Sequence, residues 1–217
     1  GPVSVQPEYD GTMWIVAYNS NEIIMLNQNG KVVERYSGPI NGFDRPYDII
    51  RLKNGKLLVS ENAGDRLSLL NEKGKFEKYI GSKGIGLGQM VGPLYLAQDD
   101  LERIYVTDYG NKRVDVFDKE GNPLFFFGKK TTQFEGLKGP TGITVMDDVI
   151  FIADDYDGVM AVPVTFLNRW CKDQFEVLDA RNYTDDVRLK KMDTKIINTG
   201  SYVDGVSKFT RILIKKK

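Results

Sequence analysis

The sequence predicts an all-β fold, a β-propeller of four-stranded blades, because it repeats itself, contains short strand patterns and lacks helical periodicity over most of its length. A proline returns at Pro46, Pro93 and Pro140, so consecutive copies lie 47 residues apart, and each proline opens an apolar run. An earlier copy begins at Pro2, 44 residues before Pro46. A period of roughly 40 to 50 residues is typical of propellers, in which each repeat forms one blade.

The third repeat shows the strands of one blade most clearly. Its apolar and β-branched runs cover residues 93–97, 104–107, 113–117 and 123–127. The segments between them are polar and contain Gly, Asn or Asp, which is typical of tight turns. Because β-branched and aromatic side chains suit a pleated, packed surface, we predict four short strands joined by three turns.

Several strands are apolar at consecutive residues instead of alternating, and residues 124–127 are the extreme case. A strand needs apolar side chains on both faces only when both faces are covered. Stacked four-stranded sheets arranged around a central channel meet that requirement, whereas sandwiches do not repeat their sequence.

The other repeats follow the same order, and together they give the predicted blade boundaries within residues 1–163. The blades are placed at about 2–38, 39–81, 82–128 and 129–163. The fourth repeat loses the pattern after residue 162.

Residues 164–217 are predicted to form a divergent tail. Helical spacing covers residues 165–178, and strands are expected at 196–197 and 209–214. We expect the last strand to pair with an early blade and so to help close the ring.

The third repeat resembles an NHL repeat. It contains the segment Ile-Tyr-Val-Thr-Asp at residues 104–108, then Asn111, Arg113, a Val-Phe-Asp segment at 116–118, a turn ending at Gly121 and a closing Phe-Gly at 127–128. The other repeats match more loosely, and the resemblance covers roughly residues 2–162. It implies a propeller of the six-bladed type, which would need about 280 residues at this period. The chain has 217, so we expect either divergent last blades or an incomplete ring.

Composition narrows the chemistry. The 30 basic and 30 acidic residues cancel, which argues against a nucleic-acid partner. The chain has no histidine, the commonest general acid or base and metal ligand, so we expect neither a bound metal nor a cofactor.

No run has the roughly 20 apolar residues of a membrane-spanning helix. The single cysteine, Cys171, leaves the compartment open. We favour a bacterial periplasmic or cell-surface location.

An acidic residue follows the second strand of three repeats, namely Glu61, Asp108 and Asp154. These carboxylates could converge on the channel as a calcium site, as the resemblance to lactonase-like propellers implies. Alternatively, each accepts hydrogen bonds from its own turn, and a feature repeated in every blade favours this second interpretation. Arg66 and Arg113 occupy the family's arginine position, where we expect them to bridge carbonyls or neighbouring carboxylates.

The predicted binding surface is the face where the loops between blades meet the turns between second and third strands. Its candidate residues are Tyr18, Arg45, Asn62, Asp65, Tyr109, Asn111, Lys112, Tyr156 and Asp157. Tyrosines, amides and charges on a rigid scaffold are typical of protein recognition.

We therefore predict a non-catalytic module that binds a protein, peptide or glycan and belongs to a larger bacterial cell-envelope or sensor protein. Two alternatives remain. One is a calcium-dependent, lactonase-like hydrolase, and the other is an RNA-binding NHL domain.

Overall fold

The structure is a computed structural model that describes residues 1–130 and 135–164, together with the backbone of two later strands. The predicted helix at 165–178 and Cys171 lie outside the described residues.

Four sheets follow one another along the chain. Blade 1 contains β1 (Pro2–Pro7), β2 (Met13–Ala17), β3 (Glu22–Leu26) and β4 (Val32–Tyr36). Blade 2 contains β5 (Pro46–Arg51), β6 (Leu57–Glu61), β7 (Arg66–Leu70) and β8 (Phe76–Ile80). Two short parallel strands, β9 (Ser82–Lys83) and β10 (Gln89–Met90), lie in the next linker. Blade 3 contains β11 (Pro93–Gln98), β12 (Ile104–Asp108), β13 (Arg113–Phe117) and β14 (Pro123–Phe127). Blade 4 contains β15 (Pro140–Met146), β16 (Val149–Asp154) and β17 (Gly158–Pro163).

Each blade is an antiparallel meander, and its first strand is the innermost. The register shifts directly after the opening proline of β1, β5, β11 and β15. Proline cannot donate to a strand ladder, so the start of the strand is a natural place for it and for a bulge. β1 packs against β5, β5 against β11, and β11 against β15, whereas no comparable contact joins β15 to β1. The all-β propeller prediction is thus confirmed, with four blades described.

The core lies between the blades. One apolar cluster joins blades 1 and 2, a second joins blades 2 and 3, and a third joins blades 3 and 4. In β6, Leu57 packs toward blade 1 and its neighbour Leu58 packs toward blade 3, and both are fully buried. Each such side chain contributes about 1.5–3 kcal/mol. This two-sided packing explains why the strands are apolar at consecutive positions.

The later strands are β18 (Thr194–Ser201) and β19 (Lys208–Ile214), which overlap the segments 196–197 and 209–214. β19 pairs antiparallel with β18. The sequence predicted that this last strand would instead pair with an early blade. Within the part of the chain that the structure describes, no helix is long and apolar enough to span a membrane.

Arg113 fixes the linker that precedes blade 3. Its fully buried guanidinium donates to the carbonyl oxygens of Ile85, Gly86 and Gln89 at 2.8, 2.9 and 2.5 Å. It also lies 3.3 Å from the Asp108 carboxylate and 3.0 Å from that of Asp115. The predicted bridging of carbonyls and carboxylates is confirmed.

Asp115 shares this network. Burial, followed by the adjacent Asp108 carboxylate, raises the pKa of Asp115 to about 8. Asp115 is therefore largely protonated in the folded protein at neutral pH and ionised once the chain unfolds. Because the folded pKa is raised, its stabilising contribution is complete below the unfolded pKa of 3.8 and is lost as the pH rises to about 8.

We predict that Asp115→Asn flattens the pH dependence of the free energy of unfolding between pH 5 and pH 8. The slope removed is at most about 1.4 kcal/mol per pH unit. Urea denaturation at several pH values measures it. The control Asp100→Asn, at an exposed side chain, should keep the wild-type slope. Equal slopes for Asp115→Asn and the wild type would contradict the prediction.

Candidate functional site

One face of the propeller collects the linkers that enter the blades and the turns that join second to third strands. The amide N–H groups of Asn62, Gly110 and Asp155, in three of these turns, each donate to a carbonyl in the linker of the same blade, at 2.8–2.9 Å. We call this surface the loop face. It comprises turn residues 18–21, 62–65, 109–112 and 155–157 with linker residues 43–45, 91–92 and 138–139.

The recurring carboxylates hold the linkers on this face. Glu61 accepts the N–H of Asp44 at 2.8 Å, and Asp108 accepts that of Val91 at 2.9 Å. Asp154 accepts the N–H groups of Lys138, at the equivalent linker position, and of Gly139, at 2.8 and 2.9 Å. All three carboxylates are buried.

Asp108 and Asp154 also accept N–H groups of their own turns, from Asn111 at 3.4 Å and from Tyr156 at 3.0 Å, as the second interpretation predicted. Glu61 instead accepts from the side chains of Ser68 and Arg66. In the part of the chain that the structure describes, no three acidic residues come together as a metal site.

A row of three tyrosines crosses the loop face at the mouth of the channel. Tyr18 comes from the 3-10 turn after β2, Tyr47 from the start of β5 and Tyr95 from β11. The Tyr18 and Tyr47 ring centroids are 5.9 Å apart, those of Tyr47 and Tyr95 are 5.3 Å apart, and both pairs meet edge to face at 86–89°. Such pairs contribute about 0.5–1.5 kcal/mol each. The row therefore joins three consecutive blades and leaves each ring half-buried.

Arg45 supplies a positive charge at one end of the tyrosine row. Its guanidinium carbon lies 5.0 Å from the centre of the Tyr18 ring, and the Tyr18 hydroxyl donates to Asn62 at 3.3 Å. The backbone of Arg45 has a positive φ of 53°, and its N–H is held by the Asn21 side chain at 2.9 Å. Arg45 is exposed and has no carboxylate partner among residues 1–130 and 135–164. Its charge is therefore available to a ligand.

Asp48 lies beneath the row and braces three blades. Its carboxylate accepts the Ser4 hydroxyl of blade 1 and the Leu96 N–H of blade 3, the latter at 2.9 Å. Burial raises the pKa of Asp48, and these hydrogen bonds partly oppose the rise. The site thus rests on a polar contact that crosses two blade boundaries.

The Tyr47 hydroxyl remains protonated at neutral pH. Burial raises the pKa of Tyr47, and Tyr95, Tyr18 and the Asp155 carboxylate add to the rise. Asp155 itself accepts the Thr141 hydroxyl at 3.2 Å. This side of the channel mouth therefore presents both hydroxyl donors and a carboxylate acceptor.

Among the predicted residues, Tyr18, Arg45 and Asn62 come together at this cluster. Asp65 instead accepts the N–H of Gly92 at 2.8 Å and pairs with Lys83 at 3.0 Å. It is a brace between blade 2 and the next linker.

Two further predicted residues lie in the turn after β12. The Asn111 amide donates to the Gly84 carbonyl at 2.9 Å and to Asp108, so it also supports the loop. Lys112 is exposed, at a left-handed position with a φ of 55°.

Tyr109 and Tyr156 form a second aromatic patch on the loop face, between blades 3 and 4. Their rings flank Gly139, where a Cβ atom would lie only 3.3 and 3.0 Å from them. Tyr156 is 60% exposed and Tyr109 is 39% exposed. Asp157 pairs with Lys138 at 2.9 Å. The patch is thus separate from the Tyr18–Tyr47–Tyr95 row.

Sequence reasoning missed Tyr47, Tyr95, Asp48 and Asp155. For three of them the sequence did contain a signal. Tyr47 and Asp48 directly follow Pro46, and Tyr95 is the second residue after Pro93, so polar or aromatic side chains interrupt the apolar runs there. Tyr47 and Tyr95 lie where the register of the strand shifts, so strict alternation does not predict which face their side chains occupy.

Sequence comparisons give a limited result. A family model described as "Adenine-specific methyltransferase EcoRI" matches residues 140–217, which is about a third of the chain. Within that range, β15–β17 form a propeller blade. None of the curated proteins matches the chain.

Solved structures support the propeller fold. A streptogramin B lyase is 16% identical, with a TM-score of 0.54 over 76% of this chain and 55% of its own. A catalytically inactive virginiamycin B lyase variant from Staphylococcus aureus, solved with quinupristin, is 17% identical, with a TM-score of 0.51 over 76% of this chain and 67% of its own. A Bacteroides thetaiotaomicron protein of unknown function is 13% identical, with a TM-score of 0.59 over 74% of this chain and 46% of its own. The chain thus spans about half the length of the first of these, and identities this low show the fold alone.

We predict that Asp48→Leu lowers the free energy of unfolding by about 1–3 kcal/mol, because it leaves the buried Leu96 N–H without an acceptor. Asp48→Asn retains one acceptor oxygen and should cost clearly less. Urea denaturation of both variants measures the difference. Equal losses would show that the hydrogen bonds of Asp48 do not brace the blades.

Proposed function

We propose that this chain is a non-catalytic binding module that recognises an exposed peptide segment of a partner protein on the loop face. The observation that carries the proposal is the Tyr18–Tyr47–Tyr95 row with the exposed Arg45 at its end, which has no carboxylate partner among the described residues. Tyrosine and arginine dominate the energetics of protein interfaces, and rigid rings lose little entropy on binding.

The geometry of the row favours a peptide over a glycan. Sugar rings stack on flat, exposed aromatic faces, whereas in each of these pairs the edge of one ring lies against the face of the other at 86–89°. The Arg45 guanidinium lies over the Tyr18 ring and adds a positive charge to this row of half-buried rings. A segment with apolar side chains and a carboxylate for Arg45 fits that combination.

Two features support a non-catalytic role. The chain contains no histidine, and the recurring carboxylates Glu61, Asp108 and Asp154 are all engaged by linker N–H groups. The virginiamycin B lyase variant named above is catalytically inactive and has alanine in place of a histidine. A lyase that needs that residue would have no equivalent group here.

We further propose that the repeats are of the NHL type and that the four blades belong to a larger ring, six-bladed in that family. Blade 1 supports this. Val5 is 52% exposed, whereas Ile49, at the equivalent position of blade 2, is 1% exposed because it packs on blade 1. Within the described part of the chain, no blade therefore packs on this face of blade 1 as blade 1 packs on blade 2. We favour a place in a larger bacterial cell-envelope or sensor protein.

We predict that peptides enriched on the chain from a phage-displayed library of random linear peptides bind about 30-fold more weakly to Tyr47→Ala, as expected for a hot-spot residue. Arg45→Ala should weaken those that carry a carboxylate. The matched control is Tyr9→Ala, a fully exposed tyrosine on the opposite face, which should bind like the wild type. Enrichment of peptides insensitive to Tyr47→Ala, or selective binding on a glycan array, would contradict the proposal.

We predict no tight calcium binding by titration calorimetry, because the recurring carboxylates already accept backbone hydrogen bonds. Tight binding that disappears in the double variant Asp108→Ala with Asp154→Ala would instead support the hydrolase alternative. Circular dichroism of the double variant must first show that it folds.

A further inference from the structure

A cavity of about 710 Å³ opens on the face opposite the loop face, between blades 1 and 2. The β1–β2 turn, β4 and the turn between β7 and β8 form its walls. Its size lies within the range of about 300–1,000 Å³ that small-molecule sites occupy. No residue of the loop-face cluster lines it, so it does not depend on the function proposed above.

The cavity is not a general property of the blades. The same three repeat positions meet at every blade boundary, and between blades 2 and 3 they hold Leu52, Leu58 and Ile80, which are buried in the apolar core. Between blades 3 and 4 they hold Asp99, Tyr105 and Phe127, where the Tyr105 hydroxyl donates to Asp99 at 2.8 Å. Between blades 1 and 2 the equivalents are Glu8, Trp14 and Tyr36, which line the cavity.

Two aromatic rings, those of Trp14 and Tyr36, form part of the cavity wall. The Trp14 and Tyr36 ring centroids lie 5.2 Å apart at 48°, and both rings pack closely on Gly74, where a Cβ atom would lie 3.0–3.1 Å from them. Trp14 is buried, and its indole N–H has no acceptor among residues 1–130 and 135–164. The Tyr36 hydroxyl donates to Glu34 at 2.8 Å. Tyr36 thereby orients a carboxylate beside the aromatic pair.

The charge of the cavity is negative. Arg51 is neutralised by Glu8, which accepts from its Nε and Nη2 at 2.6–2.8 Å. The remaining charged groups of the walls are the carboxylates of Asp10, Glu34 and Glu72 and the ammonium of Lys73. Three negative charges thus face one positive charge.

We propose that this cavity binds an organic cation, an ammonium group attached to an apolar body. The half-buried Tyr36 ring, which packs on the buried Trp14 ring, would contact the cation and its alkyl groups, since aromatic faces attract ammonium ions. The carboxylates of Glu34 and Glu72 supply the opposing charge. An inorganic cation would gain little from the aromatic walls, and an anion would be repelled.

Choline and its neutral carbon isostere 3,3-dimethyl-1-butanol are suitable probes, because they share a shape and differ in charge. We expect choline to bind to the unaltered chain by calorimetry and the isostere to bind about 2- to 30-fold more weakly, since a cation–π contact is worth about 0.5–2 kcal/mol. Trp14 is one of two tryptophans, so a Trp170→Phe variant reports occupancy through Trp14 fluorescence alone. Tyr36→Leu should weaken choline binding by about 2- to 30-fold.

Two adjacent substitutions provide the sharpest test. Glu72→Gln should weaken choline binding and Lys73→Gln should strengthen it, since they change the charge of the cavity in opposite directions. If these two residues affected choline binding only by supporting the conformation of the turn, both substitutions would change the affinity in the same direction. Glu120→Gln, in the corresponding turn of blade 3, changes the same charge outside the cavity and should leave binding unchanged. Equal binding of choline and its isostere, binding of neither, or changes of the same sign in the adjacent variants would overturn the proposal.

Discussion

In blades 2, 3 and 4 a buried carboxylate at the end of the second strand holds the preceding linker, and the position of these blades depends on it. Glu61, Asp108 and Asp154 accept the N–H of linker residues that are themselves one repeat apart. A carboxylate that receives several N–H donors replaces the water that these groups lose on burial. This bond fixes where the chain leaves one blade and where the innermost strand of the next begins. The apolar clusters between blades then have a defined geometry in which to pack.

The two surfaces on opposite faces arise from departures from the repeat. On the loop face, tyrosines at non-equivalent positions of three blades meet: Tyr47 and Tyr95 lie at the bulges that follow two of the repeated prolines, and Tyr18 lies in the 3-10 turn after β2. On the other face, the Glu8, Trp14 and Tyr36 set replaces the apolar set Leu52, Leu58 and Ile80. The backbone of the repeat is preserved in both cases, and only the side chains change.

Sequence reasoning reached the fold because the information was local and repeated. The third repeat alone predicted β12 and β13 to within one residue, since β-branched runs between Gly- and Asn-rich turns leave few other conformations. The local role of Asp108 was also predicted from its recurrence. The cluster of Tyr18, Tyr47 and Tyr95 was only partly reached, because contact between blades depends on register and on the bulge, neither of which a single repeat reveals. The cavity was missed for a similar reason, since it exists only where three positions from different strands meet.

The spacing of the contacts between blades has a consequence for the history of the chain. Ser4 bonds to Asp48 across 44 residues and Asp48 to Leu96 across 48, so each bond joins neighbours about one repeat apart. Duplication of one whole repeat in the gene would therefore add a complete set of hydrogen-bonding partners between blades, and deletion of one repeat would remove such a set. The bonds between the other blades would stay intact. During synthesis on the ribosome, each newly emerged sheet likewise finds its docking surface already formed. Such an architecture can grow by copying, and a single copy can then diverge at its side chains to acquire a new ligand.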